Sequence, residues 1–135
     1  MSLYAAIRAG AWAAALSGVP STVHAFATGR DPLEATKAAG SILLPRERRA
    51  RRLVAAAMPV HLTLSFGWAL VLERARVRGA AQGALAGLVI AALDLGVVGT
   101  HFPRVRALPL GPQVADHLAY GVIVGWRLRR HRCHD

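Results

Sequence analysis

GAAQGALAGLVIAALDLGVVGTHFP, residues 79–103, decides the fold. Between Ala80 and Thr100 it carries one charge, Asp94, among apolar and small residues. A helix of that length rises about 30 Å, the thickness of the hydrocarbon core of a bilayer. Gly79, Gly83, Gly87 and Ala91 recur every fourth residue, so one helix face is flat and another backbone can lie against it. Asp94 follows on nearly the same face, and at that depth a carboxyl group has to look toward the protein interior. The stretch predicts a membrane-spanning helix with a polar centre behind it.

Three more apolar blocks lie outward from it, at about residues 9–27, 53–72 and 113–128. With the span at 80–100 they predict an all-α, integral membrane four-helix bundle, a single transmembrane domain over residues 1–135. The first block repeats the small-residue theme at Gly10, Ala14 and Gly18, and holds Pro20 inside the expected span. Its alternative reading is a signal peptide, with Arg8 as the positive region and Val23-His24-Ala25 as the cleavage site. Asp31-Pro32-Leu33-Glu34 has the form of a helix start with a capping box, and predicts a short interfacial helix over about 32–44. The second block contains Pro59 and ends in the short polar turn Glu73 to Arg78, which predicts that spans two and three are antiparallel neighbours. Gly121 and Gly125 extend the glycine-zipper pattern to the last span.

The 135 residues are 54% apolar and carry a net charge of +10, with a mean hydropathy of +0.36. Such a charge first suggests nucleic acid, but the arginines sit between apolar blocks and no nucleic-acid motif accompanies them. The expected partners are the bilayer and its anionic headgroups, met above all by Arg46, Arg48, Arg49, Arg51 and Arg52. Small-residue stripes also admit a homo-oligomer. The lone cysteine, Cys133, excludes an internal disulfide, and the HRCH tract around it reads as a polar tail. Basic residues divide almost evenly between the two sides, so the positive-inside rule leaves the orientation open.

Alternating spans bring the end of span one, the start of span two, the end of span three and the start of span four to one membrane side. Those segments hold His24, His61, Asp94, His101, Asp116 and His117. Asp94 and His101 are seven apart and predict a shared face. His61 and His117 are the expected partners of Asp94. Three readings follow: a structural hydrogen-bond network, a proton or small-molecule path centred on Asp94, and a metal- or haem-binding subunit. No nucleophile elbow, phosphate loop or dense ligand motif is present, so the expected protein is non-enzymatic and no cofactor is predicted.

GVPSTVHAFATGRDPLEATKAAG (residues 18–40) and LDLGVVGTHFPRVRALPLGPQVADHLAYG (residues 93–121) resemble segments of small uncharacterised four-span membrane proteins of high-GC, actinobacterial type. That resemblance implies a multi-pass protein of a bacterial cytoplasmic membrane and supplies no activity. Four short spans are also similar in architecture to the small multidrug transporters, which carry a glutamate in their first span where this chain has only His24.

Overall fold

A computed structural model describes residues 2–131, and over these the chain is all-helical. In order the elements are α1 (Leu3–Leu16), α2 (Val19–Ala27), α3 (Glu34–Gly40), α4 (Ala50–Arg74) and α5 (Ala80–Leu93). Helix α5 runs on through a π turn (Asp94–Val98) and a 3-10 turn (Gly99–His101), followed by α6 (Pro103–Arg106) and α7 (Leu110–His131). Cys133 and His134 of the HRCH tract lie outside the described residues.

Two helices are long and apolar enough to cross a membrane, Ala50–Arg74 with mean hydropathy 1.6 and Ala80–His101 with 1.9. The first apolar block, expected as one span, is broken at Ser17 and Gly18 into α1 and α2. Pro20 offers no N–H and suits the first turn of a new helix, so α2 restarts there. The hydroxyls of Thr22 and Ser21 donate to the Gly18 carbonyl at 2.8 and 3.3 Å, closing the break. The last helix is longer than the expected 113–128 and has polar residues at both ends.

Helix α3 is also shorter than the expected 32–44. Asp31 accepts from the Leu33 N–H at 2.9 Å and pairs with Lys37. Those partners hold its carboxyl below the ordinary range, the Lys37 hydrogen bond most of all. Glu34 turns to Arg30, 3.3 Å away, rather than closing a capping box. Gly40 ends α3 so close to α4 that a Cβ there would overlap the Leu53 carbonyl.

One apolar core draws on α1 (Ala5, Ala9, Ala13), α4 (Ala69, Leu72), α5 (Ile90) and α7 (Tyr120, Val124, Leu128). Its closest contact is α5 on α7. A Cβ on Gly83 would overlap the Gly121 carbonyl, and one on Gly87 that of His117. Gly79 donates its N–H to the Gly125 carbonyl at 2.8 Å, so the two backbones meet as directly as backbones can. On α1, Gly10 faces Phe66 and Ala69 of α4, whereas Gly18 faces open space, so the first-block stripe ends at the helix break.

The short link from α4 to α5 does not make those two helices each other's main partners: α4 lies on α1 and α3, and α5 on α7. The link turns through Arg76 and Gly79, both at positive φ. Glu73 is drawn inward from it and buried, accepting from the Ser2 N–H at 3.2 Å and pairing with Arg78 at 3.0 Å. A buried carboxylate needs that many partners.

Candidate polar site

Asp94 opens the π turn at the point where α5 leaves the glycine contact. The Gly99 N–H reaches back five residues to the Asp94 carbonyl, and one carboxylate oxygen, Asp94 Oδ2, becomes the meeting point of three helices. The Trp68 indole of α4 donates to it at 3.3 Å, and His117 Nε2 of α7 stands 3.5 Å away. Both side chains of the Asp94–His117 pair are about four-fifths withdrawn from solvent, each 20% exposed. Tyr120, one turn beyond His117, donates its hydroxyl to the Ser65 carbonyl of α4.

His117 Nδ1 lies 2.8 Å from the Gln113 carbonyl oxygen, which can only accept, so Nδ1 carries a hydrogen. Nε2 then faces a carboxylate oxygen across 3.5 Å. That contact becomes an ion pair when the imidazole carries its second proton and the carboxyl is ionised.

Asp116 sits next to His117 in sequence and serves a different contact. Its Oδ1 accepts from the Ser21 backbone N–H at 2.8 Å. Ser21 lies in the first turn of α2, where Gly18 has no side chain to cap with and Pro20 no N–H to give. The carboxylate of α7 supplies the missing cap and ties the broken first block to the last helix.

The remaining histidines do not join the pair. His61, expected to reach Asp94, turns to the Ala14 carbonyl of α1 at 2.8 Å. His101, expected on the face of Asp94, is exposed and bonds the Val97 carbonyl of its own turn at 3.0 Å. The wide π turn and the tight 3-10 turn interrupt the 3.6-residue period, so a seven-residue spacing no longer means one face. His24 lines a shallow recess with Ser21, Arg30, Asp31 and Gln113. Among the described residues no three His, Cys, Asp or Glu side chains are grouped closely enough to hold a metal ion.

Of the five arginines assigned to lipid phosphate, all are exposed and Arg52 is paired with Glu47 at 3.1 Å. Glu47 also accepts from the N–H groups of Arg48 and Arg49, at 2.8 and 2.9 Å. Those bonds, that of Arg49 foremost, keep its carboxyl below the ordinary range. Sequence reasoning overlooked Trp68 and the buried Glu73–Arg78 pair. The signal for Trp68 was the need of any buried indole N–H for an acceptor. Counted along the helices from their shared link, however, Trp68 and Asp94 differ in depth by roughly 12 Å. Compared with protein-family models, with curated proteins and with solved structures, the chain matches none.

Proposed function

We propose that this chain is a non-enzymatic, four-span integral membrane protein of a bacterial cytoplasmic membrane, its helices held in register by Asp94 and its contacts with Trp68 and His117. The observation that carries this reading is a single carboxylate accepting from Trp68 of α4 and facing His117 of α7, inside a helix long enough to cross a bilayer. Membrane insertion is supported by where the apolar surface points. The most apolar windows of Ala50–Arg74 and Ala80–His101 are only 17% and 28% buried, the reverse of a core helix in a soluble protein. In this reading α1 with α2 forms one crossing, broken in the middle and capped from α7, and α7 forms another whose polar residues face inward or lie at its ends.

A second reading, a small proton-coupled transporter, is favoured by the juxtaposition of Asp94 and His117, because an ionisable pair within spans is the usual seat of such coupling. Two substitutions separate the readings. Asp94→Asn keeps the shape and an acceptor for Trp68, whereas Asp94→Leu removes every polar contact. If the site is structural, Asn costs little and Leu lowers the detergent melting temperature by the equivalent of about 1–3 kcal/mol, the cost of orphaning buried partners. If the site conducts, Asn abolishes pH-driven flux in proteoliposomes while the protein stays folded. Parental stability and flux in both variants would remove Asp94 as the organising group.

A further inference from the structure

At the end of the molecule opposite Arg46–Arg52, the side chain of Arg127 lies against two indole rings. Its guanidinium carbon is 4.2 Å from the ring centre of Trp12 on α1 and 5.2 Å from that of Trp126. Arg130 adds a second cation, 4.3 Å from the Trp126 ring. Both rings are substantially exposed, Trp12 at 44% and Trp126 at 42%. Arg127 Nε is buried with no hydrogen-bond partner, so a strong donor is held out of water without an acceptor. Leaving such a donor unmade is costly, so the guanidinium is held here by the rings rather than by hydrogen bonds of Nε.

The depth of this cluster is fixed by the backbone. Gly79 donates to Gly125, which places Arg127 level with the start of α5, where an apolar helix begins. The Trp126 ring stands with it at the boundary of the apolar slab, where indole rings sit among lipid headgroups. Trp12 meets Arg127 from deeper along α1, two residues past Gly10, which faces Phe66 and Ala69. A guanidinium stacked on rings keeps its in-plane terminal N–H groups directed outward, where they match two oxygens of a tetrahedral phosphate.

We propose that Trp12, Trp126, Arg127 and Arg130 form a binding site for the phosphodiester of an anionic phospholipid, in the leaflet opposite the one met by Arg46–Arg52. The inference rests on the membrane reading above. The rings orient Arg127, its terminal N–H groups take the phosphate oxygens, and Arg130 adds charge at the rim.

The test uses the full chain in nanodiscs of phosphatidylcholine and phosphatidylglycerol, with bromines on the acyl chains of one lipid or the other. Tryptophan quenching then reports which lipid lies beside the rings. The parent chain is expected to be quenched about fivefold more effectively by the brominated anionic lipid, the ratio equivalent to about 1 kcal/mol for one basic residue at an anionic surface. Arg127→Gln should bring that ratio close to one with helicity retained, and Arg130→Gln should lower it part of the way. A folded Arg127→Gln that keeps the parental ratio overturns the site. If Arg127→Gln does not fold, an unchanged ratio in Arg130→Gln overturns it, since that side chain is exposed and outside the core. Equal quenching by both lipids in the parent also overturns the site while leaving the membrane reading intact. No quenching by either lipid removes both. Loss of the preference on adding inorganic phosphate would show that the free ion competes with the lipid for the same N–H groups, as the site requires.

Discussion

The two halves of the α5–α7 pair are joined by opposite means. From Gly79 to Gly87 the closest contacts are backbone on backbone: Gly83 meets Gly121, Gly125 meets Gly79 and Gly83, and a main-chain hydrogen bond crosses between the helices. From Asp94 onward the contact is made by side chains, with His117 at 3.5 Å and Trp68 reaching in from α4 at 3.3 Å. The first half draws its hold from dispersion over a wide, close surface and tolerates no added atom. The second depends on a few polar atoms whose partners come from different helices and can be exchanged one at a time. Glycine contact thus sets how near two helices lie, and polar contact sets which further helices join them.

The largest effect should come from breaking the glycine half. Gly83→Leu is expected to cost more than about 3 kcal/mol, because its side chain would have to occupy the space of the Gly121 backbone. Gly67→Ala, on α4, meets nothing within 4 Å and should instead stabilise by about 0.5–1 kcal/mol through backbone entropy alone. Thermal unfolding in detergent measures both. If the two changes have the same sign, close approach is not what holds α5 to α7.

In the polar half the effect of one substitution should be smaller and local. Asp116→Ala removes the cap on α2 and should cost about 1 kcal/mol, the ordinary value of a lost helix N-cap. Hydrogen exchange should rise at Ser21 and its neighbours and stay unchanged at the Asp94–His117 pair. Faster exchange at both places would mean that the two adjacent carboxylate contacts act as one unit.

The smallest effect lies outside both halves, at Glu47. Its folded carboxyl is held below its ordinary value of 4.5, so its stabilising contribution is present above that pH and is lost as pH falls through the lower folded value. The parent should therefore melt slightly higher than Glu47→Gln near neutral pH, and the two melting curves should converge in acid. A gap that persists in acid would mean that the N–H groups of Arg48 and Arg49 do not depend on the charge of Glu47.

The all-helical class and the two longest apolar helices were legible because hydrophobic blocks of that length have few other ways to satisfy their backbone. The glycine spacing on α5 and α7 is equally plain to read. Pro20 was visible as a disturbance, but a proline inside an apolar block permits either a kink or a full break. Here the break was decided by Asp116, a residue 95 positions away that caps the new helix. Asp94 could be singled out from its lone charge and His117 expected beside it, whereas Trp68 could not. A π turn removed His101 from its face, and Trp68 reached it across a difference in depth that counting along the chain placed too large to bridge.

Local sequence determined where helices form and which faces are flat, because propensity, proline chemistry and hydrophobic length act within a few residues of themselves. Only the tertiary structure decided which helix each face meets. The link from α4 to α5 is short, yet α5 packs on α7, because a glycine stripe gains most from another glycine surface and α7 offers one. Likewise Glu73 reads as part of an exposed turn until Ser2 and Arg78 close over it. A buried charge is stable only when partners distant in the chain arrive together, and no short stretch of sequence specifies that arrival.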